Sequence, residues 1–292
     1  MRWRPKISAY VLVLLVSLNV GCKSPSEYAK FAQSGNLYVA ALDNLMVAAT
    51  RVTIDASSER FVLDDAVSNT SKEDYDRQND ADKRRIEVYG KLRRHGRLLG
   101  EYFDSLNALA TSEAPDTVQA ATSSLVTNIN TLGTELRGSP LLRGGGEAIP
   151  LLTKLIVSSA IRGALKSELD ARSQTIREEL ALQETLLKAL AKDIQDDLKT
   201  IEENEAQRLV VDPLLAVPSI QNIETWKENR RRILLYPSAI QELESASSAV
   251  GNLRQAFEDL LSNRLTLERI NGVIADFESI ITIAESIQKE LK

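Results

Sequence analysis

Apolar residues recur at steps of three and four along most of the chain, which is the spacing of one face of an α-helix. The period-two alternation that marks strands is almost absent, and the Asn271-Gly272 pair falls inside a helical pattern. In the first half, apolar stripes run from Tyr28 to Val52, from Tyr75 to Leu109 and from Val118 to Leu136. These stripes predict three amphipathic helices, the third of which begins at Pro115.

The second half is predicted to hold two longer helical segments. The stretch GSPLLRGGGEAIP, residues 138–150, interrupts the pattern with glycines and prolines and is interpreted as a hinge. Beyond it, Leu151 to Val210 reads as one very long helix, which DPLLAVPS at residues 212–219 should end, with Ser219 as the next N-cap. The last stripe runs to the C-terminus and is broken only at Pro237. The long helix carries a coiled-coil-like ladder with one polar member, formed by Ile176, Leu180, Gln183, Leu187, Leu190 and Ile194.

Two long amphipathic segments joined by a short loop bury their stripes most simply against each other. The sequence therefore predicts an all-α fold, an elongated multi-helix bundle with a long antiparallel helical hairpin in its C-terminal half. The expected divisions are a leader at 1–21, amphipathic helices at 22–137, a hinge at 138–149 and the hairpin at 150–292. We expect the two helical parts to form one continuous bundle.

The N-terminus has the plan of a secretory signal peptide. Three basic residues lie within the first six positions, Ile7 to Leu18 is uncharged and apolar, and Gly21 precedes Cys22, the one cysteine of the chain. This ending resembles the lipobox of bacterial lipoproteins over residues 1–22, with Asn19 where the family usually has leucine. The resemblance implies cleavage before Cys22 and acylation of that residue. It also implies attachment to the cell membrane or, in a cell with two membranes, to the periplasmic face of the outer membrane, since Lys23 follows the cysteine.

Charge and composition narrow the class of partner. The chain has 36 basic and 41 acidic residues, and cleavage of the leader would deepen its net charge from −5 to about −8. This acidity argues against a nucleic-acid partner and gives no overall attraction to an anionic membrane. The expected partners are the bilayer, through the acyl chains, and an envelope protein, and a homo-oligomer is compatible with the pattern.

The sequence offers few candidates for catalysis. There is one histidine and one cysteine, so triads and zinc sites built from these residues are not expected, and neither a metal nor a cofactor beyond the lipid is predicted. The glycines at 144–146 precede Glu147, whose charge would repel a phosphate. An enzyme that processes peptidoglycan with two carboxylates is the third alternative for function.

Two clusters of cations are candidates for contact with a membrane or another polyanion. The first comprises Arg93, Arg94 and His95, and the second comprises Arg230, Arg231 and Arg232. Simple solvation of a helix face is the alternative interpretation of both clusters.

Two further segments bear on the membrane. Residues 148–165 are the most apolar stretch after the leader and are predicted to be either a buried helix or a membrane-inserting one. Ser24, Pro25 and Glu27 fit a capping box, which predicts that the first helix begins directly after the anchor. Tyr28 and Phe31 would then lie near lipid headgroups.

These features favour a non-catalytic lipoprotein of the cell envelope that acts as a helical scaffold, spacer or protein-binding module. The alternative from another class is a membrane-active helical protein that resembles pore-forming proteins in shape.

Overall fold

The computed structural model describes residues 25–67, 70–111, 115–145, 149–216, 220–234 and 248–290. Within these ranges the chain is almost entirely helical and contains no strand, so the predicted all-α bundle is confirmed. A π-helix, Ala206–Val211, joins two of the α-helices end to end. The α-helices are α1 Pro25–Val67, α2 Lys72–Thr111, α3 Pro115–Arg137, α4 Pro140–Gly145, α5 Gly163–Glu205, α6 Asp212–Leu215, α7 Ile223–Ile233, α8 Ala249–Leu261 and α9 Leu267–Glu290.

Local sequence signals explain where several helices begin. Proline at the first helical position opens α1 and α3, where a missing backbone N–H costs nothing. Before α2, the Ser71 hydroxyl accepts from the Asp74 backbone N–H at 3.2 Å, and the Asp74 carboxylate accepts from the Ser71 N–H at 3.3 Å. This reciprocal pair is a capping box with aspartate in the place of glutamate.

Helix α5 lies at the centre of the bundle and contacts α1, α2, α3, α4 and α8. α1 and α2 are antiparallel, because Asn36 bonds Asp104 near one end of the pair and Thr53 meets Tyr89 towards the other. Aromatic side chains pack together in the core where α1, α2 and α8 meet. The ring centroid of Phe31 lies 5.0 Å from that of Phe103 and 6.1 Å from that of Phe257. α9 runs parallel to α1 and packs along it.

The C-terminal half forms the expected antiparallel hairpin, with a shorter return arm than predicted. The outgoing arm is α5, the π-helix and α6, and the return arm carries α7 and α8. Arg232 bonds Glu205 at 3.1 Å, and farther down Arg254 bonds Glu184 at 3.1 Å. The return arm ends at Leu261, and α9 then runs back along α1. The end of α8 cannot be predicted from the apolar pattern, because the turn after it depends on the left-handed φ of 58° at Asn263.

The prediction of one helix from Leu151 is wrong. Residues 149–162, here called the strap, are not helical and include a turn closed by the Ile161 N–H and the Ser158 carbonyl, and α5 begins only at Gly163, whose φ of 66° suits glycine. Tertiary partners replace the helical hydrogen bonds: the Ser158 N–H donates to the Leu261 carbonyl at 2.8 Å, and the Arg177 guanidinium donates to the Thr153 carbonyl at 2.7 Å. The alternatives of a buried or an inserting helix over 148–165 are therefore both wrong, because residues 149–162 form no helix.

The predicted breaks at glycine and proline also differ from the structure. The hinge contains the short helix α4, and residues 146–148 lie outside the described ranges. Pro213 does not end the long helix, because it occupies the first turn of α6, where its ring fits. Asn222, not Ser219, caps α7 by accepting from the Thr225 N–H at 3.1 Å. Ser219 and Pro237 lie outside the described ranges.

One described helical stretch, Glu27–Leu63 of α1, is long and apolar enough to cross a membrane by length and composition. It is weakly compatible with membrane association, and half of its most apolar window is buried inside the bundle. Tyr28 and Phe31 are buried inside the bundle, so the prediction that they meet lipid headgroups is wrong. Phe31 packs against Phe103 of α2 and Phe257 of α8, which accounts for the apolar face of α1 here.

Candidate functional site

The predicted lipidation site, Cys22, lies outside the described ranges together with the whole leader. The structure begins at Pro25, the first residue of α1, where the capping pattern placed it. Three peptide units therefore separate the predicted anchor from a helix that is built into the core.

Two of the three side chains in the first cation cluster have partners or are buried inside the bundle. Arg93 donates to the Asp43 carboxylate at 2.9 Å, and this hydrogen bond holds the pKa of Asp43 below its ordinary value. Arg94 is exposed and has no acidic partner among the described residues. His95 is completely buried, so the prediction that it contacts a membrane or polyanion is wrong. Successive residues of a helix point about 100° apart, so His95 faces the core although its neighbour Arg94 faces solvent.

The second cation cluster divides in the same way. Arg232 is half-buried and bonds Glu205 across the hairpin. Arg230 and Arg231 are exposed, and neither has an acidic partner in the part of the chain that the structure describes. Within the described residues, Arg94, Arg230 and Arg231 are therefore the members of the two clusters that are exposed and without an acidic partner.

His95 belongs to a chain of polar side chains inside the bundle, here called the polar network. The Tyr38 hydroxyl donates to Gln183 Oε1 at 2.8 Å, and Gln183 Nε2 donates to His95 Nδ1 at 2.5 Å. His95 Nε2 lies 3.2 Å from Glu179 Oε2, and the other oxygen of Glu179 pairs with Arg137. Because Nδ1 accepts, this bonding order assigns the imidazole proton to Nε2.

The polar network depends on a glycine that faces it. A Cβ atom built on Gly133 of α3 would lie 2.0 Å from Glu179 Oε2. Glycine at this position therefore lets the buried carboxylate approach the backbone of α3. Tyr38, His95, Glu179 and Gln183 are all at most 1% exposed, so a substrate cannot reach them in this conformation.

Two more buried acids lie on α5 at either side of the polar network. Glu168 pairs with Arg172, and burial raises the pKa of Glu168 above its ordinary value. Asp197 accepts from Arg85 at 2.7 Å, yet burial raises the pKa of Asp197 as well. α5 thus carries buried acids at three levels of the interior, and the contacts around them join α5 to α1, α2 and α3.

The far end of the hairpin presents an apolar surface. We call residues 206–234 the hairpin tip; Ile233 is the one fully buried residue among those described there. Leu215 is 74% exposed and Ile223 is 58% exposed. Beside them, a groove of about 340 Å³ lies between the two arms and is lined in part by Trp226, whose indole N–H donates to the Val210 carbonyl at 3.0 Å.

The function of the protein must be inferred without a known relative or a metal site in the described ranges. Among the residues that the structure describes, no group of three or more His, Cys, Asp and Glu side chains could hold a metal ion. The chain matches no protein-family model, no curated protein and no solved structure. The exposed surfaces are therefore interpreted from their own chemistry.

Proposed function

We propose that the protein is a lipid-anchored, non-catalytic helical spacer of the bacterial cell envelope, which presents its hairpin tip as a protein-binding surface. The observation that carries this proposal is the uncovered apolar surface around Leu215 and Ile223, at the end of the bundle opposite Pro25. Their chain neighbours Ala216 and Asn222 line the same groove, and exposed apolar surface beside a groove is typical of interaction sites. The tip also carries Arg230 and Arg231, which are exposed and have no acidic partner among the described residues.

The length of the spacer follows from the helix geometry. Phe31 stacks on Phe257, and the next residue, Glu258, bonds Arg177 of α5. Leu215 lies 38 residues beyond Arg177, and Pro25 lies six residues to the other side of Phe31. At about 1.5 Å per residue, the tip is held roughly 65 Å from the start of α1.

The anchor in this proposal is the acylated Cys22, at the periplasmic face of the outer membrane if the cell has two membranes. The short link from Cys22 to Pro25 supports a bundle that stands directly on the bilayer. Replacing Cys22 with serine should move the protein from the membrane fraction to the soluble fraction. Membrane extraction at high salt separates lipid anchoring from ionic attachment, because acyl insertion resists salt.

Site-specific photo-crosslinking in intact cells tests the binding surface. A photoreactive residue at position 215 should give a discrete crosslinked product, and Ile223→Gln should abolish it. The matched control is a photoreactive residue at position 47, because Val47 is 41% exposed on α1 and lies twelve residues before Glu59, the α1 residue that pairs with Arg208 of the tip. Equal crosslinking at both positions would contradict a binding role for the tip.

The strap favours one alternative function, that of a membrane-active protein. Its Leu151 and Ile156 side chains point into solvent although both are large and apolar. A membrane-active protein should release dye from vesicles, and a spacer that only rests on the bilayer should not. Leakage at rates that fall with Ile156→Ser would favour the alternative.

A further inference from the structure

The strap has an unusual surface for a segment of an acidic protein. Between Ile149 and Gly163 the sequence contains no acidic residue. Lys154 and Arg162 are exposed and have no acidic partner among the described residues. Ile156 is 88% exposed, and Leu151 is fully exposed, which makes them the two most exposed large apolar side chains in the described ranges. Cationic and apolar side chains thus share one surface.

This surface is held in place by the bundle. Val157 and Ile161 are buried in the core, and the Ser158 N–H donates to the Leu261 carbonyl at 2.8 Å. The strap is also fixed to α5, because Arg177 donates to the Thr153 carbonyl at 2.7 Å. The exposure of Ile156 is therefore imposed by anchored neighbours on both sides.

The strap lies at the same end of the bundle as the start of α1. Phe31 and Phe257 stack on each other, which places them at one level of the bundle. Pro25 lies six residues beyond Phe31 towards this end, and Leu261 lies four residues beyond Phe257 in the same direction. At about 1.5 Å per residue, Pro25 and Leu261 differ in level by only about 3 Å. Ser158, bonded to Leu261, is thus nearly level with Pro25. α5 begins 14 residues before Arg177 and so reaches about 12 Å farther than Pro25, and Thr153 is bonded to Arg177, which places the strap along the side of this end of the bundle.

We propose that the bundle leans towards the side that carries the strap, so that this side lies against the bilayer, with Ile156 at the boundary of headgroups and acyl chains and with Lys154 and Arg162 on lipid phosphates. The inference rests on the proposed acyl anchor. Three residues from Cys22 to Pro25 span at most about 11 Å, so the anchor would hold the strap within reach of the membrane. Tethering raises the effective concentration of lipid at the strap, so a small apolar and basic surface is sufficient.

A single introduced thiol can report this contact. Cys22 is the one cysteine of the chain, and its sulfur would carry the acyl group, so Ile156→Cys would add the one free thiol. The lipidated full-length protein would be labelled there with an environment-sensitive dye. It would then be reconstituted in vesicles of equal parts phosphatidylethanolamine and phosphatidylglycerol. Leu215→Cys at the hairpin tip is the matched control, because Leu215 has the same number of side-chain carbons as Ile156 and is also highly exposed.

We expect the dye at position 156 to shift to shorter emission wavelength and to be quenched several-fold by spin-labelled lipids. The dye at position 215 should show neither effect. Reversing both charges, with Lys154→Glu and Arg162→Glu, should reduce the quenching at position 156 and leave flotation with the vesicles unchanged. Circular dichroism on each variant confirms that the bundle is still folded.

The possible failures have distinct signatures. Protein that does not float with the vesicles would refute the acyl anchor and hence the proposed function. Protein that floats but shows an unquenched dye at position 156 would overturn only the inference about the strap. Equal quenching at positions 156 and 215 would also overturn it, because the rod would then lie flat. A shift in cell membranes but not in pure vesicles would identify a protein as the partner of the strap.

Discussion

Replacing Gly133 with alanine would place a methyl group where the buried carboxylate of Glu179 now lies. The new Cβ would be 2.0 Å from Oε2 and 2.7 Å from Cδ of that side chain. The carboxylate has no free space to enter, because it is 1% exposed and held between Arg137 and His95. Either the α3 backbone moves away from α5, or Glu179 gives up its partners.

Both routes are costly. Overpacking of a well-packed core typically costs about 1–3 kcal/mol, and separating a buried ion pair can cost about 3–5 kcal/mol. Against this, alanine is favoured over glycine in a helix by about 1 kcal/mol. The same replacement at Gly90 of α2 isolates that benefit, because a Cβ there meets nothing within 4 Å. We expect Gly133→Ala to be about 2–4 kcal/mol less stable than Gly90→Ala.

Urea unfolding followed by circular dichroism measures the difference. The Gly90→Ala variant should unfold at a slightly higher urea concentration than the wild type, and Gly133→Ala at a clearly lower one, with similar slopes. A Gly133→Ala variant as stable as Gly90→Ala would refute the reasoning, since Glu179 would then be free to move at no cost.

Gln183→Leu should cost about 2–4 kcal/mol of unfolding free energy, because it leaves the Tyr38 hydroxyl and His95 Nδ1 buried without a partner. Adding Tyr38→Phe should then cost less than it does in the wild type, which a double-mutant cycle would show. Because burial raises the pKa of Glu168 above 4.5, the native state keeps its proton to higher pH than the unfolded chain. Relative to Glu168→Gln, wild-type stability should therefore fall as the pH rises from about 4.5 through the native pKa, by about 1.4 kcal/mol per unit of pKa difference; parallel profiles would contradict this. Leu215→Gln at the exposed tip should change stability by less than about 0.5 kcal/mol, as measured by urea unfolding.

The periodic part of the fold could be predicted from the sequence, because helical stripes report directly which side of a helix is buried. The hairpin, the start of α1 at Pro25 and the polar position of Gln183 in the ladder all follow from spacing alone. The partners of Gln183 do not, since His95 and Tyr38 lie 88 and 145 residues away in the chain. Only the packing of α1, α2 and α5 brings these side chains together.

Local preference failed where tertiary contacts decide the backbone. The strap is apolar enough for a helix, but hydrogen bonds from Arg177 and to Leu261 satisfy its non-helical backbone instead. His95 lies in a basic stretch, and its neighbours in sequence suggested a solvated face. Its burial is revealed by the acceptor and donor that meet it inside the bundle, and neither is marked by the local sequence.

The π-helix at 206–211 has a consequence for how the protein could change over evolution. An α-helix advances about 100° around its axis per residue, so a single residue inserted or deleted at this point would turn α6, and Leu215 with it, by about that angle relative to α5. The cost would fall on the joint itself, because Arg208 within the π-helix pairs with Glu59 of α1, and Ala206 and Val210 pack against the core. The direction in which Leu215 faces is thus tied to the contacts between the π-helix and α1, and any variant that redirects the tip must replace the ion pair of Arg208.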